Sequence, residues 1–485
     1  MKIIVVVPKN LFGNWVKQIV VKNKKIQLDV FVLNNFPENR LYKLFFKIDQ
    51  KLFKGAKSLV APIDSVNQYN IDNVKDITID KLSTCILNFT DIRIESQNIS
   101  QYEFFVNQST SIFNELIKST ILTKYKKVSL QVKNKNKEFE TSVRFDPISV
   151  SKNLDLVLAT FLGIIKSNLQ ALQDLDKSTN VAISGLNVLS VFKYGVRFCK
   201  KIIDYKFYAD QWLIAYQFGD ESKISLFNFE TIKKIIPPKD RFWADPIVIF
   251  ENDTYYVFIE ELLYANDKGH ISVFEIHKNG SVTQPVKIIE NDYHMSYPFV
   301  FKYEEDYYMI PETSHNSTID LYRAKNFPYE WKFEKTIFNN IQATDTTLVY
   351  ANHKWWMFTS IKEFENGTYD NVLSIFYADN PIKGNWKAHE QNIVKNDIEN
   401  SRQGGPFFKG NDCLYRISQN GMNTYGFGYN IHKVIELSET TFKEELVNNY
   451  TATDKGIIGV HTFNKVENIQ VYDVLKRIKK IEFVK

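Results

Sequence analysis

The 485-residue sequence has few cysteines and no long hydrophobic run, and both features limit the classes of protein to which it can belong. Its three cysteines, Cys85, Cys199 and Cys413, are odd in number and far apart. Neither a disulfide framework nor a CxxC metal site is therefore predicted. No stretch reaches the roughly 18 apolar residues that cross a bilayer, and the apolar run at 3–7 is too short for the core of a signal peptide. We expect a cytoplasmic protein without a transmembrane segment.

Neither sign of charge dominates, and the common nucleotide-binding fingerprints are missing. Sixty-one Lys and Arg against 56 Asp and Glu give a net charge of +5. We interpret small lysine clusters, such as those at 22–25 and 476–480, as solvated surface. No nucleic-acid motif is present, so no nucleic-acid partner is predicted. Without GxGxxG or a P-loop, no cofactor is predicted either. The oligomeric state is left open.

Aromatic residues are abundant, and the first part of the chain alternates short apolar runs with helical patterns. Aromatics make up 14% of the chain, which favours strands. The predicted strands are at 3–7, 28–33, 58–61, 85–89 and 104–106, and the predicted helices are near 15–21 and 41–53. This alternation predicts a parallel, Rossmann-like α/β domain over residues 1–180. It ends in a long amphipathic helix for which Ser151 is the expected N-cap.

After residue 208 the pattern changes to short alternating strands with a repeat. Five segments share a small or polar residue, then Pro or Thr, then an apolar strand: 244–248, 296–300, 344–348, 404–408 and 459–463. Taking Asp245, Tyr297, Asp345, Gly405 and His461 as equivalent points, the intervals are 52, 48, 60 and 56 residues. A period near 50 that is built of consecutive strands is typical of propeller blades. We predict an all-β five-bladed β-propeller over residues 205–475.

Seven short motifs in this region carry a family resemblance. They are RFWADP at 241–246, HMSYPF at 294–299, MIPET at 309–313, FP at 327–328 with Trp331, DTTL at 345–348, SR at 401–402 with GG at 404–405, and GVHT at 459–462. Together they resemble the family named for the N-terminal domain of glucosamine inositolphosphorylceramide transferase. The resemblance implies a propeller similar to that of arabinanases, levansucrases and invertases. In the plant enzyme the glycosyltransferase is a separate C-terminal domain without a match here, so the family name alone assigns no activity.

The resemblance also bears on the N-terminal region. Bacterial members of the family often carry an upstream domain similar to a formyltransferase fold, and residues 1–180 are expected to be that domain. The segment FDPIS at 145–149 supports this weakly. The His-x-Ser-Leu-Leu-Pro segment of a working formyltransferase is missing, so we expect a degenerate or repurposed domain.

Three carboxylates are the candidate catalytic residues. In the similar hydrolases, the positions matching Asp245 and Asp345 hold the base or nucleophile and an acid that orients the site. The alternative is that Asp245 caps a turn before Pro246 and that Asp345 bonds only backbone. Those hydrolases carry their general acid on the fourth blade, where this chain has SRQGGP at 401–406. Glu312 is the preferred substitute, and Glu260 or Glu261 are the others considered.

The candidate substrate-binding residues lie at or beside the predicted blade mouths: Arg241, Trp243, Glu260, His294, Tyr297, Arg402 and His461. Arg402 is suited to a phosphate or carboxylate, although pairing with Asp345 is an equal alternative. Trp243 is a candidate for stacking on a sugar or, alternatively, for a wedge between blades. The spacing of His and acidic residues does not resemble a zinc site, and no metal is predicted.

Three functions remain open from the sequence. The first is a glycosyltransferase-like enzyme of cell-surface polysaccharide or glycolipid synthesis, with a sugar or sugar-nucleotide ligand. The second is a non-catalytic glycan-binding or scaffolding propeller. The third is a glycoside hydrolase with Glu312 as its acid. A fold by itself does not choose among them.

Overall fold

A computed structural model describes residues 2–9, 11–13, 15–19, 27–34, 46–49, 67–71, 83–90, 100–122, 127–133, 138–168, 188–220, 230, 232–362, 367–410, 412–452 and 456–480. The chain forms two compact units. The first consists mainly of Met1–Lys201, and the second of Ile202–Lys362 and Tyr369–Lys485. Within the described ranges, no helix is both long and apolar enough to span a bilayer.

The first unit is built on a seven-stranded mixed sheet. Its strands are β1 (Lys2–Pro8), β2 (Gln27–Leu33), β3 (Asn67–Ile71), β4 (Ser83–Asn88), β5 (Ser100–Val106), β6 (Lys127–Lys133) and β7 (Glu138–Arg144). They lie in the order β3-β2-β1-β4-β5-β6-β7. The first five are parallel, as predicted, but β5–β6 and β6–β7 pair antiparallel. The wholly parallel sheet is therefore corrected to a mixed one, and the strand predicted at 58–61 lies outside the described residues.

The helices are α1 (Trp15–Gln18), α2 (Ile112–Leu122), α3 (Val150–Asn168) and α4 (Val188–Phe207), and residues 46–49 are also helical. The long predicted helix is α3, but its cap lies two residues earlier than expected. The Ser149 hydroxyl accepts the Lys152 amide, so Ser149, and not Ser151, caps the helix. Buried Asp49 accepts the amides of Val150 and Ser151 and stabilises the same positive helix end.

Alternation along β1 explains why both faces of this sheet are covered. Ile3, Val5 and Val7 pack in one apolar cluster with residues of α2 and α3, whereas Ile4 and Val6 belong to a second cluster on the other face. All five are fully buried. The Rossmann-like arrangement and the likeness to a formyltransferase remain predictions.

The second unit is a five-bladed β-propeller of five four-stranded sheets. Blade one holds β10 (Arg241–Glu251), β11 (Thr254–Leu263), β12 (Lys268–His277) and β13 (Val286–Ile289). Blade two holds β14 (Ser296–Tyr303), β15 (Asp306–Thr313), β16 (Thr318–Asn326) and β17 (Glu330–Asn339), with a 3₁₀ turn at Ser314–Asn316. Blade three holds β18 (Ala343–Ala351), β19 (Lys354–Ile361), β20 (Ser374–Ala378) and β21 (Lys387–Ala388). Blade four holds β22 (Phe408–Gly410), β23 (Cys413–Asn420), β24 (Gly428–Leu437) and β25 (Phe442–Thr451).

The fifth blade closes the ring with strands from both ends of the propeller sequence. Its strands β26 (Phe463–Val466) and β27 (Ile469–Lys479) come last in the chain, whereas β8 (Tyr208–Phe218) and β9 (Lys233–Ile235) come first. β27 pairs antiparallel with β8 over eleven residue pairs, from Ile469↔Phe218 to Lys479↔Tyr208. This pairing removes the free sheet edges that an open array of blades would leave.

Candidate active site

The inner strand of each of the first three blades begins with the same backbone feature. Asp245, Tyr297 and Asp345 have φ values of 51°, 40° and 51°. Each sits at a register shift of its strand pair, so the ladder is interrupted by a bulge there. At the matching point of blade four, Gly405 has φ of 145°. Four of the five equivalent points chosen from the sequence repeat therefore have positive φ, whereas His461 does not, and such outliers often mark functional sites.

Asp245 connects the first, second and fifth blades. One of its carboxylate oxygens accepts the Tyr297 amide at 3.2 Å, and the other accepts the Thr462 hydroxyl at 3.2 Å. The Nε2 atom of His461 lies 3.4 Å from the second oxygen. The His461 Nδ1 atom in turn lies 2.6 Å from a carboxylate oxygen of Asp473 on β27. The three side chains Asp245, His461 and Asp473 form what we call the Asp–His–Asp cluster.

Burial and neighbouring charges shift the pKa values of the whole cluster. Burial raises the pKa of Asp245 well above its usual range, and the negative charges of Glu260, Asp345 and Asp473 add to this against the opposing effect of His461. Burial alone would lower the pKa of His461, but Asp473 and then Asp245 raise it to about 9. Near neutral pH the cluster thus retains a proton on His461.

Asp473 is held in its ionised form. Burial would raise its pKa, but the His461 ring and the backbone amides of His461 and Thr462 hold it below the usual range. Those amides donate to one oxygen at 3.0 and 2.9 Å, and the Asp245 amide donates to the other at 3.1 Å. The Asp–His–Asp cluster has the spacing for a metal, with donor atoms within 4.8 Å of one another. Because both Asp473 oxygens already accept backbone N–H groups, and His461 Nδ1 lies close to Asp473 without hydrogen-bond geometry, we interpret the cluster as an ion pair supported by backbone amides.

Asp345 occupies the matching position on blade three and is bound by a cation. Arg402 donates to both of its oxygens, from Nε at 2.5 Å and from Nη2 at 3.4 Å. Gln419 donates to Asp345 at 3.0 Å, and Arg402 also donates to Asp370 at 2.9 Å. The pairing of Arg402 with Asp345, which the sequence left as an alternative, is therefore present. The ring of Tyr425, 40% exposed, lies 5.3 Å from the guanidinium carbon.

A second buried ion pair fixes the segment that carries Arg402. Arg416 and Glu444 are fully buried and joined by two hydrogen bonds of 2.6 Å. Arg416 also donates to the Asn400 carbonyl, to the Ser401 carbonyl and to the Gln403 side chain. Burial would raise the pKa of Glu444, but Arg416 and other cations lower it to about 2. The backbone on both sides of Arg402 is thereby anchored to the blade.

Glu312 near the end of β15 is the third candidate carboxylate, and its surroundings keep it close to half-protonated at neutral pH. Burial, followed by the charge of Asp345, raises its pKa to about 7, while Arg402, Ser314 and His294 oppose the rise. The Ser314 hydroxyl donates to it at 2.7 Å. A carboxylate poised near pH 7 is suited to general acid or base catalysis.

His294 and Glu260 lie together beside this carboxylate. The Nδ1 atom of His294 accepts the Gly269 amide at 3.0 Å, so its proton is on Nε2, which lies 3.2 Å from Glu260. A Cβ on Gly269 would fall 2.8 Å from Glu260 and 2.9 Å from His294. Glycine at this position is what allows the pair to form. Glu260 also acts electrostatically on Asp245, and His294 on Glu312.

Arg241 and Trp243 are directed at Glu261. Arg241 and the Trp243 indole N–H donate to the same Glu261 oxygen, at 2.9 and 3.2 Å. Trp243 is 4% exposed and packs in the apolar cluster with Ile214 of blade five, which matches the alternative of a wedge between blades. Its ring therefore presents no open face for the predicted sugar stacking.

Tyr297 likewise serves the site through its backbone. Its side chain is fully buried, with the hydroxyl 2.8 Å from the Thr347 hydroxyl. Its amide, by contrast, donates to Asp245. Direct contact with a substrate would have to come from other residues.

Several site residues were not singled out from the sequence: Asp370, Gln419, Thr462 and Asp473. Asp473 lies mid-strand in β27 and Gln419 in β23, where a polar residue is read as ordinary strand alternation. Thr462 directly follows a predicted site residue in the GVHT motif, and this adjacency was the available signal. Asp370 lies in a connection without a repeat signal.

Comparisons with known proteins match the propeller region to one family. The model of the family described as "Glucosamine inositolphosphorylceramide transferase 1, N-terminal" matches residues 231–476. The rice (Oryza sativa subsp. japonica) protein "Glucosamine inositolphosphorylceramide transferase 1" is 35% identical over 212 residues, which are 43% of this chain. The Arabidopsis thaliana protein of that name is 32% identical over 219 residues, 44% of this chain. Each match spans only 28% of the relative's own length.

Among solved structures, the described fold is similar to Zg3597, a family 117 glycoside hydrolase of the marine bacterium Zobellia galactanivorans. The TM-score is 0.35 and the sequence identity 10%, over 55% of this chain and 90% of that one.

Proposed function

Because the chain belongs to the family of the glucosamine inositolphosphorylceramide transferase 1 N-terminal domain, we propose that its propeller binds a sugar and takes part in a glycosyl transfer of glycolipid or cell-surface polysaccharide synthesis. The observation that carries the proposal is the convergence of Asp245, Asp345 and Glu312 from three blades into one electrostatically coupled site. Two of these carboxyls have raised pKa values, which is the arrangement that acid–base chemistry on sugars uses.

The reaction would couple bond formation at an acceptor hydroxyl with loss of a phosphate leaving group. The bond between the anomeric carbon and the phosphate oxygen of an activated sugar breaks, and the acceptor oxygen bonds to that carbon. Glu312 in its ionised form takes the acceptor proton. Arg402 receives the departing phosphate, since three of the five guanidinium N–H groups are used by Asp345 and Asp370.

The two aspartates have different parts in this proposal. Asp345 is 1% exposed and its oxygens are taken by Arg402 and Gln419, so we assign it to positioning Arg402. Asp245, with a raised pKa, would hydrogen-bond a sugar hydroxyl, and the His461 proton keeps the local charge balanced.

The test is an assay of the full chain with a panel of sugar nucleotides and glycolipid or polysaccharide acceptors, reading nucleotide release and product mass. Glu312→Gln should lower the rate by roughly 10²–10⁴-fold, whereas Glu305→Gln, a change at an exposed glutamate on the same blade, should not. As the base, Glu312 must be ionised, so the rate should rise as the pH passes about 7. Full activity in Glu312→Gln would contradict the assignment.

The raised pKa of Glu312 also favours a second candidate, a glycoside hydrolase in which Glu312 is the acid. The pH profile separates the two, because an acid must be protonated and the rate would then fall above pH 7. Release of reducing sugar from oligosaccharides, without a nucleotide donor, would establish this alternative.

A non-catalytic glycan-binding propeller remains the third reading of the same site. Calorimetry with glycans distinguishes it from both enzymes. Binding that persists in Asp245→Asn and Asp345→Asn, with neither nucleotide release nor reducing sugar from the native chain, would favour the binding module.

A further inference from the structure

Helix α4 (Val188–Phe207) is apolar on the side that faces solvent. Phe192, Val196 and Ile203 are 67%, 52% and 52% exposed, and Cys199 is also exposed. Their spacing of four, three and four residues places them on one line along the helix. We call this line the α4 stripe. Leu189, Ile202 and Phe207, at 58%, 53% and 43% exposure, widen it.

The opposite face of α4 carries the contacts that hold the helix on the protein. The Tyr194 hydroxyl donates to the Ile148 carbonyl at 2.6 Å. Arg197 donates to the carbonyls of Thr120 and Ile121 at 3.1 and 3.0 Å. The usual amphipathic pattern of a surface helix, with apolar residues inside, is therefore reversed over the exposed arc of α4.

The charge on and beside α4 has one dominant sign. The helix contains Lys193, Arg197, Lys200, Lys201 and Lys206 against a single acid, Asp204. On a helical wheel, Lys193 and Lys200 fall along one border of the stripe, whereas Lys201 falls on the opposite face and lies 3.8 Å from Asp146. Long lysine stems can cover apolar surface while their ammonium groups reach outward.

The C-terminal end of the helix adds further positive charge. Arg477 lies 3.4 Å from Asp204, and Lys480 donates to the Tyr205 carbonyl at 2.8 Å. The single acid of the helix is thus already paired with a cation. Lys480 belongs to the lysine cluster at 476–480, and this cluster therefore lies beside the C-terminal end of α4.

From these observations we propose that α4 is an interfacial membrane-docking helix that lays the α4 stripe into the head-group region of an anionic bilayer. An exposed apolar stripe with aromatic residues and flanking lysines is the chemistry that binds such a surface. Each lysine near an anionic surface contributes about a fivefold gain in binding. The charge complementarity selects a negatively charged lipid surface over a neutral one, and the proposal does not depend on the sugar site.

The test is co-sedimentation of the full chain with vesicles of phosphatidylcholine, with and without phosphatidylglycerol. We expect binding to the vesicles that contain phosphatidylglycerol, and its loss at high salt. The variant Phe192→Gln/Ile203→Gln should bind at least about tenfold more weakly, since two large apolar side chains no longer enter the lipid. Glutamine is chosen because it preserves helix propensity.

Matched controls distinguish this from a general loss of surface hydrophobicity or charge. Phe333→Gln/Ile435→Gln removes two side chains of nearly equal exposure, 55% and 54%, from propeller strands and should leave binding unchanged. Lys193→Glu/Lys200→Glu should weaken binding by about 25-fold or more. Lys387→Glu/Lys409→Glu, at exposed lysines elsewhere, should have a smaller effect. If Phe192→Gln/Ile203→Gln fails to fold, Lys193→Glu/Lys200→Glu still tests the proposal.

Three results would overturn the proposal. One is the absence of binding to phosphatidylglycerol vesicles, and another is equal binding by the α4 variants and their controls. The third is a dimer in lipid-free buffer that Phe192→Gln/Ile203→Gln dissociates, because the α4 stripe would then be an interface between copies of the chain.

Discussion

Replacing Asp473 with asparagine should lower the pKa of His461 and remove a pH-dependent part of the propeller's stability. The change retains the size of the side chain and one acceptor oxygen. It removes the negative charge that lies 2.6 Å from the imidazole Nδ1 atom. Burial alone disfavours the imidazolium, and Asp473 is the largest influence that opposes it. Without that charge the ring should become neutral within the ordinary pH range.

The size of the effect follows from the raised pKa of His461. A rise from the ordinary 6.5 to about 9 corresponds to about 3 kcal/mol, at about 1.4 kcal/mol per pH unit. Because the folded-state pKa is the higher one, this contribution is fully present below pH 6.5 and is lost as the pH rises through 9. In Asp473→Asn, the free energy of unfolding should vary much less between these limits.

Trp212 provides an optical probe for this titration. Its ring stacks on His461 with centroids 4.2 Å apart and planes inclined by 21°. A cationic imidazole quenches indole fluorescence, so the emission of Trp212 should rise as His461 loses its proton. Subtracting the emission of Trp212→Phe isolates this signal from the six other tryptophans of the chain.

In the native chain the midpoint should lie at about pH 9, and in Asp473→Asn it should fall below 7. Urea unfolding at pH 6 and pH 9 measures the stability directly. A midpoint that is the same in both proteins, or a native midpoint below 7, would refute the reasoning, because the charge of Asp473 would then not control the imidazole.

The remaining predictions concern the packing of blades three to five. Arg402→Ala should destabilise the propeller by about 3–5 kcal/mol because it leaves buried Asp345 without its cation. Adding Asp345→Asn should restore part of the lost free energy of unfolding, as measured in urea. If the effects of the two substitutions simply added, the pairing would not be the cause. Glu444→Gln should remove a contribution of about 3 kcal/mol to the free energy of unfolding, which is present above pH 4.5 and lost as the pH falls through about 2. The native chain and this variant should therefore differ least in stability at low pH. Gly405→Ala should lower Tm strongly because its Cβ would lie 2.1 Å from a backbone carbonyl at φ of 145°, whereas Gly410→Ala, whose nearest neighbour is at 3.6 Å, should change Tm little.

The repeat in the sequence was enough to locate the inner strands of the propeller. Asp245, Tyr297 and Asp345 could be aligned because the first three blades share the same unusual backbone at that point, followed by an apolar strand, and Gly405 of blade four also has a positive φ. This is local information, which a single sequence contains. The side chains that meet at the centre are set by the positions of whole blades, so Asp473 could not be separated from the other polar residues within strands.

Ring closure and sheet edges were harder to predict for the same reason. The partners β8 and β27 are about 250 residues apart, and neither strand has a sequence pattern that predicts its pairing with the other. In the first unit, alternating strands and helices favoured a parallel sheet, but β6 and β7, which were not predicted and follow each other closely in the sequence, pair antiparallel. The Ser149 cap was missed because Ser149 and Ser151 are both suitable residues and only the backbone distinguishes them.

Asp245 and Asp345 occupy equivalent backbone positions, yet their neighbours give them different properties. Asp345 faces Arg402 from blade four, where the sequence has an arginine segment in place of an acid. Asp245 faces a histidine whose own charge is largely balanced by Asp473, and its pKa is raised. The arginine of blade four therefore binds one aspartate in a structural contact, while the carboxyl and imidazole groups with shifted pKa values lie on blades one, two and five. Substrate chemistry should consequently respond more to Asp245→Asn and Glu312→Gln than to Asp345→Asn, which acts through the position of Arg402, once stability is equalised.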